Sequence, residues 1–209
     1  MIKELGESII SDGFLFNKKS EAFQKGIPGG VASIYLSHLD YKQRIFFQLW
    51  WGVSIDRISA IYNSVTEKAA EYFDDTQVFC NSLGPLMDYM DNGNRISNAD
   101  NKKYLIVKDE DVPVVVAEMV ADIHKYIIPY FEQNYSVERA NELLNRDPTE
   151  SSVHCSTYPY KIIMGLIAAR LTHNADYDHL VSIYDPAMED AADNFKREYN
   201  KLKVVLAKM

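Results

Sequence analysis

Hydrophobic and polar positions alternate most clearly along residues 44–53, R-I-F-F-Q-L-W-W-G-V, where Ile45, Phe47, Leu49, Trp51 and Val53 occupy every second place. In an extended chain that spacing puts all five on one face. Just upstream, Ala32, Ile34 and Leu36 alternate with Ser33, Tyr35 and Ser37, and only Leu39, Asp40, Tyr41 and Lys42 separate the two runs. The pattern predicts an antiparallel hairpin. A loop centred on Asp40-Tyr41 sets Leu36 opposite Ile45, Ile34 opposite Phe47 and Ala32 opposite Leu49. All six are apolar, whereas a slip of one residue would set Ile34 and Leu36 against Phe46 and Arg44. No Asn-Gly or Asp-Gly fixes the turn, so the pattern of faces carries the register.

Elsewhere the period changes. Ile2, Leu5, Ile9 and Ile10 recur at helical intervals ahead of Gly13, which predicts a short amphipathic helix over residues 2–11. Residues 14–17 and 21–25 read as extended pieces, and Ile27-Pro28-Gly29-Gly30 as a turn, since no helix or Lys-Ser/Thr follows to make a phosphate loop. Ser54 is placed to cap a helix whose stripe runs Ile58, Ile61, Tyr62, Val65, Ala69, Tyr72 and Phe73 and lies on the dry face of the sheet. Residues 77–80 and 104–108 are expected strands, and 83–99 an expected loop.

The second half reads as helical. Acidic residues and Pro113 open a helix carrying Val115, Met119, Val120, Ile123 and Ile127, which Pro129 is expected to kink or end. Ser136 starts another through Leu144, and residues 145–156, polar and containing Pro148, have linker composition. Beyond come a helix with Ile162, Ile163, Leu166, Ile167 and Leu171, one over residues 177–184, and a third opened by Asp185-Pro186 with Ala191, Ala192, Phe195, Tyr199, Leu202 and Leu206 along one side. No internal repeat makes this a solenoid. The expectation is an α+β fold: a small antiparallel sheet with helices packed on one face, followed by a C-terminal helical extension. Residues 1–145 would form the α+β domain and 157–209 the extension packed on it, or the two one continuous domain.

Composition narrows the partners. The 209 residues carry a net charge of -8, which falls as -1 over residues 1–108 and -7 over 109–209. Such acidity disfavours attraction to nucleic acid or an anionic membrane and favours a basic protein surface. No apolar run has the length of a bilayer span, and the charged N-terminus lacks a signal-peptide core. With two cysteines, Cys80 and Cys155, at no motif spacing, a soluble cytoplasmic protein with reduced thiols is expected.

Candidate chemistry is sparse. The polar side of the hairpin presents Tyr35, Arg44, Phe46, Gln48 and Trp50, an aromatic, amide and guanidinium surface suited to a partner or a ligand. His173, Asp176, Asp178 and His179 are the metal-ligand types that cluster, but nearly two helical turns part the histidines, and Asp176 is better placed as a cap, so no metal is expected. His154 and Cys155, as neighbours in an extended segment, point apart and cannot form a thiolate–imidazolium dyad, and His124 reaches Cys155 only through tertiary folding; buried inert thiols are expected. Nucleophile-elbow, zincin and dinucleotide motifs are missing, and no cofactor is implied.

A further signal is one of order. Gly13-Phe14 after a short helix, Lys18-Lys19, the Trp51-Gly52-Val53 strand end, the I-V-K-D-E-D run from Ile106 and the I-P-Y-F run from Ile128 together make residues 1–145 resemble the bacterial domain family numbered 4304. The resemblance implies an α+β fold and a bacterial source, and it brings no catalytic residues. The functional expectation is a non-catalytic protein-interaction module. The alternative is a small-ligand binder or enzyme using the aromatic-polar strand face. Self-association through the last helix is a third possibility.

Overall fold

The two alternating runs become strands of 11 residues each, β3 (Gly30–Asp40) and β4 (Ile45–Ile55), paired antiparallel along their whole length in a computed structural model that describes residues 1–97 and 99–209, with the side chain of Asp75 left out. The dry face forms as the alternation predicts. Ala32, Ile34, Leu49, Trp51 and Val53 are all essentially inaccessible, whereas Ile45 and Phe47, nearer the turn, are half-buried.

The register differs from expectation. Leu36 meets Leu49, Ile34 meets Trp51 and Ala32 meets Val53, a shift of four residues along β4. Two features cause it. The reversal is centred on residues 41–44, where Lys42 takes a left-handed φ of 53° and the Tyr41 amide donates to the Arg44 carbonyl. The ladder also runs on to Ile55, which brings Trp51 and Val53 opposite apolar partners. Because the shift is even, every side chain keeps its face.

Four shorter strands complete an antiparallel sheet. β1 (Leu15–Asn17) and β2 (Ala22–Ile27) extend it beyond β3, and β5 (Phe79–Ser82) and β6 (Tyr104–Ile106) pair with successive stretches of the far edge of β4. The β2–β3 turn is Pro28-Gly29, with Gly29 at a φ of +71° that an L side chain resists.

Helix α1 (Ile2–Ile9) ends through a short 3-10 turn at Gly13, which takes the left-handed cap expected of it. Helix α2 is only Asp56–Asn63, and Ser54 does not cap it. The Ser54 hydroxyl is engaged in the ladder, accepting from the Val31 amide at 3.0 Å. The helix ends early because Asn63 binds the Phe73 carbonyl and the Thr76 hydroxyl, folding the chain back; residues 70–75 form a 3-10 turn and Tyr72 is exposed. The expected loop at 83–99 is instead opened by helix α3 (Leu83–Asn92), whose Gly84 and Pro85 sit harmlessly in its first turn; Asn98 lies outside the described residues.

Pro129 neither ends nor sharply breaks its helix. Helices α4 (Val112–Asp122) and α5 (Ile128–Gln133) are joined by a π-turn over Ile123–Ile127, a widening that accommodates a proline ring and its missing donor. Ser136 caps α6 (Val137–Asn145) as expected, its hydroxyl accepting from the Arg139 amide. Helix α7 (Tyr158–Leu171) is buried almost all round and packs on α6 and α2. Pro186 lies within helix α8 (Tyr177–Glu189) rather than starting a new one, since Tyr184 and Met188 one turn apart hold both sides of it on the core. The last helix, α9, is therefore Asp193–Leu206, and its stripe of Tyr199, Leu202 and Leu206 is buried within the chain.

Aromatic contacts fasten helices to the dry face: the Trp51 and Tyr130 rings lie 4.5 Å apart and Phe79 meets Tyr130 edge-on. Apolar side chains from Leu5 to Leu206 join one contiguous core. The polar stretch 145–156 is held in place by buried Lys161, whose ammonium donates to the Asp147 and Glu150 carbonyls at 2.6 Å each, and by the Cys80 amide, which donates to the His154 carbonyl. Among the described residues no helix is long and apolar enough to cross a membrane.

Adjacent tryptophans provide a direct check. Trp51→Ala, which empties a buried site and removes an indole bonded to the Ser82 carbonyl, should cost about 3–5 kcal/mol. Trp50→Ala, at a position 37% exposed on the other face, should cost no more than about 1 kcal/mol. Urea unfolding midpoints of the two variants measure the difference.

Candidate functional site

Among the described residues, two places bring chemically useful side chains together. The first is the outer face of the sheet, on which Tyr35 pairs with Trp50, Ser37 with Gln48 and Leu39 with Phe46, and Phe46 in turn with Leu105 of β6. Phe46 and Trp50 are four residues apart along one strand, roughly 13 Å, so the five residues nominated from the sequence do not converge on one pocket. Tyr35, half-buried, accepts at its hydroxyl from the Gln77 side chain at 3.1 Å. The Trp50 indole donates to the Ser37 hydroxyl at 3.1 Å, and Gln48 is half-buried.

Arg44 and Phe46 do come together. With Leu39, Tyr41 and Lys103 they line a hollow of about 300 Å³ at the hairpin end of the sheet, in which the Tyr41 and Phe46 rings meet edge-on at 5.7 Å. Leu39 and Leu105 are about two-fifths exposed, so three neighbouring strands present an apolar strip to solvent. Neither Arg44 nor Lys103 has an ion-pair partner among the described residues. A carboxylate or phosphate could bind between them. Lys103 is the residue that sequence reasoning missed, because only the pairing of β6 with β4 brings its loop here.

The second place is a cavity of about 480 Å³ between α2, β5, the start of α7 and α9. Tyr62 and Tyr160 meet edge-on at 5.3 Å in its wall, with the Lys68 ammonium 5.9 and 5.8 Å from their ring centres. Glu198, buried, accepts from the Tyr62 hydroxyl, the Thr66 hydroxyl and the Glu67 amide. Burial, reinforced by the Glu198 charge, pushes the Tyr62 hydroxyl up to about 12, so it serves as a neutral donor.

Cys80 also lines this cavity, and Cys155 lies directly beside it. The bond from the Cys80 amide to the His154 carbonyl aligns residues 80 and 155 as a parallel bridge, which places both side chains on one side of the local backbone. Cys155 is buried; Cys80 is half-buried, with its sulfur 3.8 Å from the Ser156 hydroxyl. The neighbouring Cys155 thiol, which itself donates to the Thr157 carbonyl, is the main influence holding the Cys80 thiol down at about 6, helped by Ser156 and the Lys68 charge and opposed by burial. The neighbouring Cys80, together with burial, pushes Cys155 up.

His154 takes no part in this. It points away from Cys155, as alternation requires, and its Nδ1 meets the Tyr130 hydroxyl at 2.8 Å between the rings of Phe79 and Tyr89. Burial brings it down to about 3, so it is neutral at physiological pH. His124 turns elsewhere, to Asp12 at 2.8 Å.

Comparison with protein-family models, curated proteins and solved structures returned no match. The site therefore rests on its own geometry. Among the described residues no group of three or more metal-ligating side chains converges. His173 takes a left-handed backbone, and Asp176 occupies the N-cap position of α8 without a capping side-chain bond, so these two and His179 are loop and helix-start residues.

The thiol arrangement has a measurable consequence. Alkylation of Cys80 by iodoacetamide should rise as pH passes about 6, where an ordinary cysteine would rise near 8.5. Cys155→Ala, which removes the neighbouring thiol, should move that profile toward the ordinary range. Rate constants from pH 5 to 9, read by peptide mass, provide the check.

Proposed function

We propose that the protein is a non-catalytic interaction module that receives an acidic segment of a partner protein on the outer face of its sheet. One observation carries this reading: exposed Leu39 and Leu105 flank half-buried Phe46 in cross-strand register, an apolar strip bordered by the cations Arg44 and Lys103, which have no ion-pair partner among the described residues. Contiguous apolar surface rimmed by polar groups is the usual makeup of a protein contact. Asp40 does not oppose the cations, because its position in the ladder places it on the other face. The overall charge of -8 favours encounter with basic surfaces at long range, but within a Debye length of about 8 Å the nearest charges set the sign. We place the module in the cytoplasm, in line with two free thiols and an acidic chain.

The same pair of cations supports a second reading, a small carboxylate or phosphate ligand held in the hollow with a ring against Phe46.

Selection of a displayed random-peptide library on the folded protein tests the first. Enriched peptides should combine Asp or Glu with a bulky apolar residue, and the double change Arg44→Glu with Lys103→Glu should weaken them at least tenfold, with affinity falling as salt rises. Peptides without acidic bias, or binding indifferent to the double change, would remove the proposal. Competition by millimolar inorganic phosphate at constant ionic strength would favour the second reading.

A further inference from the structure

We propose that Cys80 and Cys155 form a dithiol site, separate from the strand face, that closes to a disulfide by exchange with a small disulfide entering the neighbouring cavity. The cysteines are 75 positions apart in sequence yet occupy one β-bridge. Adjacent strands lie about 4.8 Å apart, and disulfides span Cα separations of roughly 4.4–6.8 Å. The bridge therefore holds the two Cα atoms at a separation a disulfide can span.

Access fixes the order of events. Cys80 faces the 480 Å³ cavity beside Ser156, Thr157 and Tyr160, whereas Cys155 is 4% exposed and sits behind it. A low-molecular-weight disulfide R–S–S–R is the co-reactant. The Cys80 thiolate attacks one of its sulfurs; the S–S bond breaks, one RS⁻ leaves and is protonated, and a mixed disulfide forms on Cys80. The Cys155 thiol then gives up its proton and attacks the Cys80 sulfur, displacing the second RS⁻, which becomes RSH. The protein loses two electrons and two protons, and one R–S–S–R becomes two RSH.

Two features of the site suit the first step. Lys68 places positive charge at the cavity wall, and the Ser156 hydroxyl can donate to the attacking sulfur. Closure would tie β5 to the segment 145–156 and remove the thiol from the cavity wall. In a reducing compartment such a bond is transient, which is how cytosolic disulfides are commonly used.

The test uses the full chain, reduced and then exposed to glutathione disulfide, with remaining thiols alkylated after unfolding and mapped by mass. The wild type should yield a peptide pair crosslinked through Cys80 and Cys155, reversed by dithiothreitol. Cys155→Ser should stop at a stable glutathione adduct on Cys80, and Cys80→Ser should leave Cys155 unmodified or at least tenfold slower. Far-ultraviolet circular dichroism confirms that both serine variants are folded. A wild-type product that stays as the Cys80 adduct with Cys155 alkylatable, a crosslink between two copies of the chain, faster reaction at Cys155, or no reaction at all would each overturn the proposal.

Discussion

Burial of one side of the β3–β4 ladder is the constraint on which the rest of the molecule depends. Ala32, Ile34, Leu49, Trp51 and Val53 together withdraw a long apolar surface from water. Only displacements by an even number of residues leave it intact, so the hairpin could move its turn by two positions and its register by four without exposing a core side chain. Both edges of this ladder are then extended: β2 adds to β3, while β5 and β6 share β4. The helices complete the arrangement by packing Tyr130 on Trp51 and Phe79.

The two candidate sites follow from what this ladder leaves over. At the turn end, β6 covers the edge of β4, while no described element covers its outer face, so Leu39 and Leu105 remain exposed and Phe46 half-buried beside Arg44 and Lys103. At the other end, the outer face is closed: Ser33, Gly52 and Ser54 are buried, and Gln77 lies so close to Gly52 that a β-carbon there would meet its amide at 2.7 Å. That closure draws Tyr35 into a bond with Gln77 and sets Cys80 at the edge of the cavity rather than on the open sheet.

The meeting of the cysteines has a separate cause. Segment 145–156 has the composition of a linker, yet buried Lys161 holds two of its carbonyls, and two more, those of Val153 and His154, accept from Asn81 and Cys80 of β5. A buried ammonium needs such acceptors, and burial still brings Lys161 down to about 8. Neutral His154 is locked into the aromatic group of Tyr130, Phe79 and Tyr89, and it thereby orients Cys155 the other way.

By itself the sequence determined which side chains of residues 31–53 look inward, most of the helices and their capped ends at Gly13 and Ser136, and the α+β class, because these follow from periods of two and of 3.6 and from local backbone chemistry. It did not determine where Ser54 spends its hydroxyl, how Pro129 and Pro186 are tolerated within helical segments, or that Leu83 begins a helix, since each was decided by neighbours distant in the chain or by burial of the flanking turns. Arg44 and Phe46 were legible as one face, but Lys103 joins them only through β6. Tertiary structure alone brought Cys80 to Cys155: no spacing marks a pair whose contact arises from a strand edge meeting a polar segment 75 residues later.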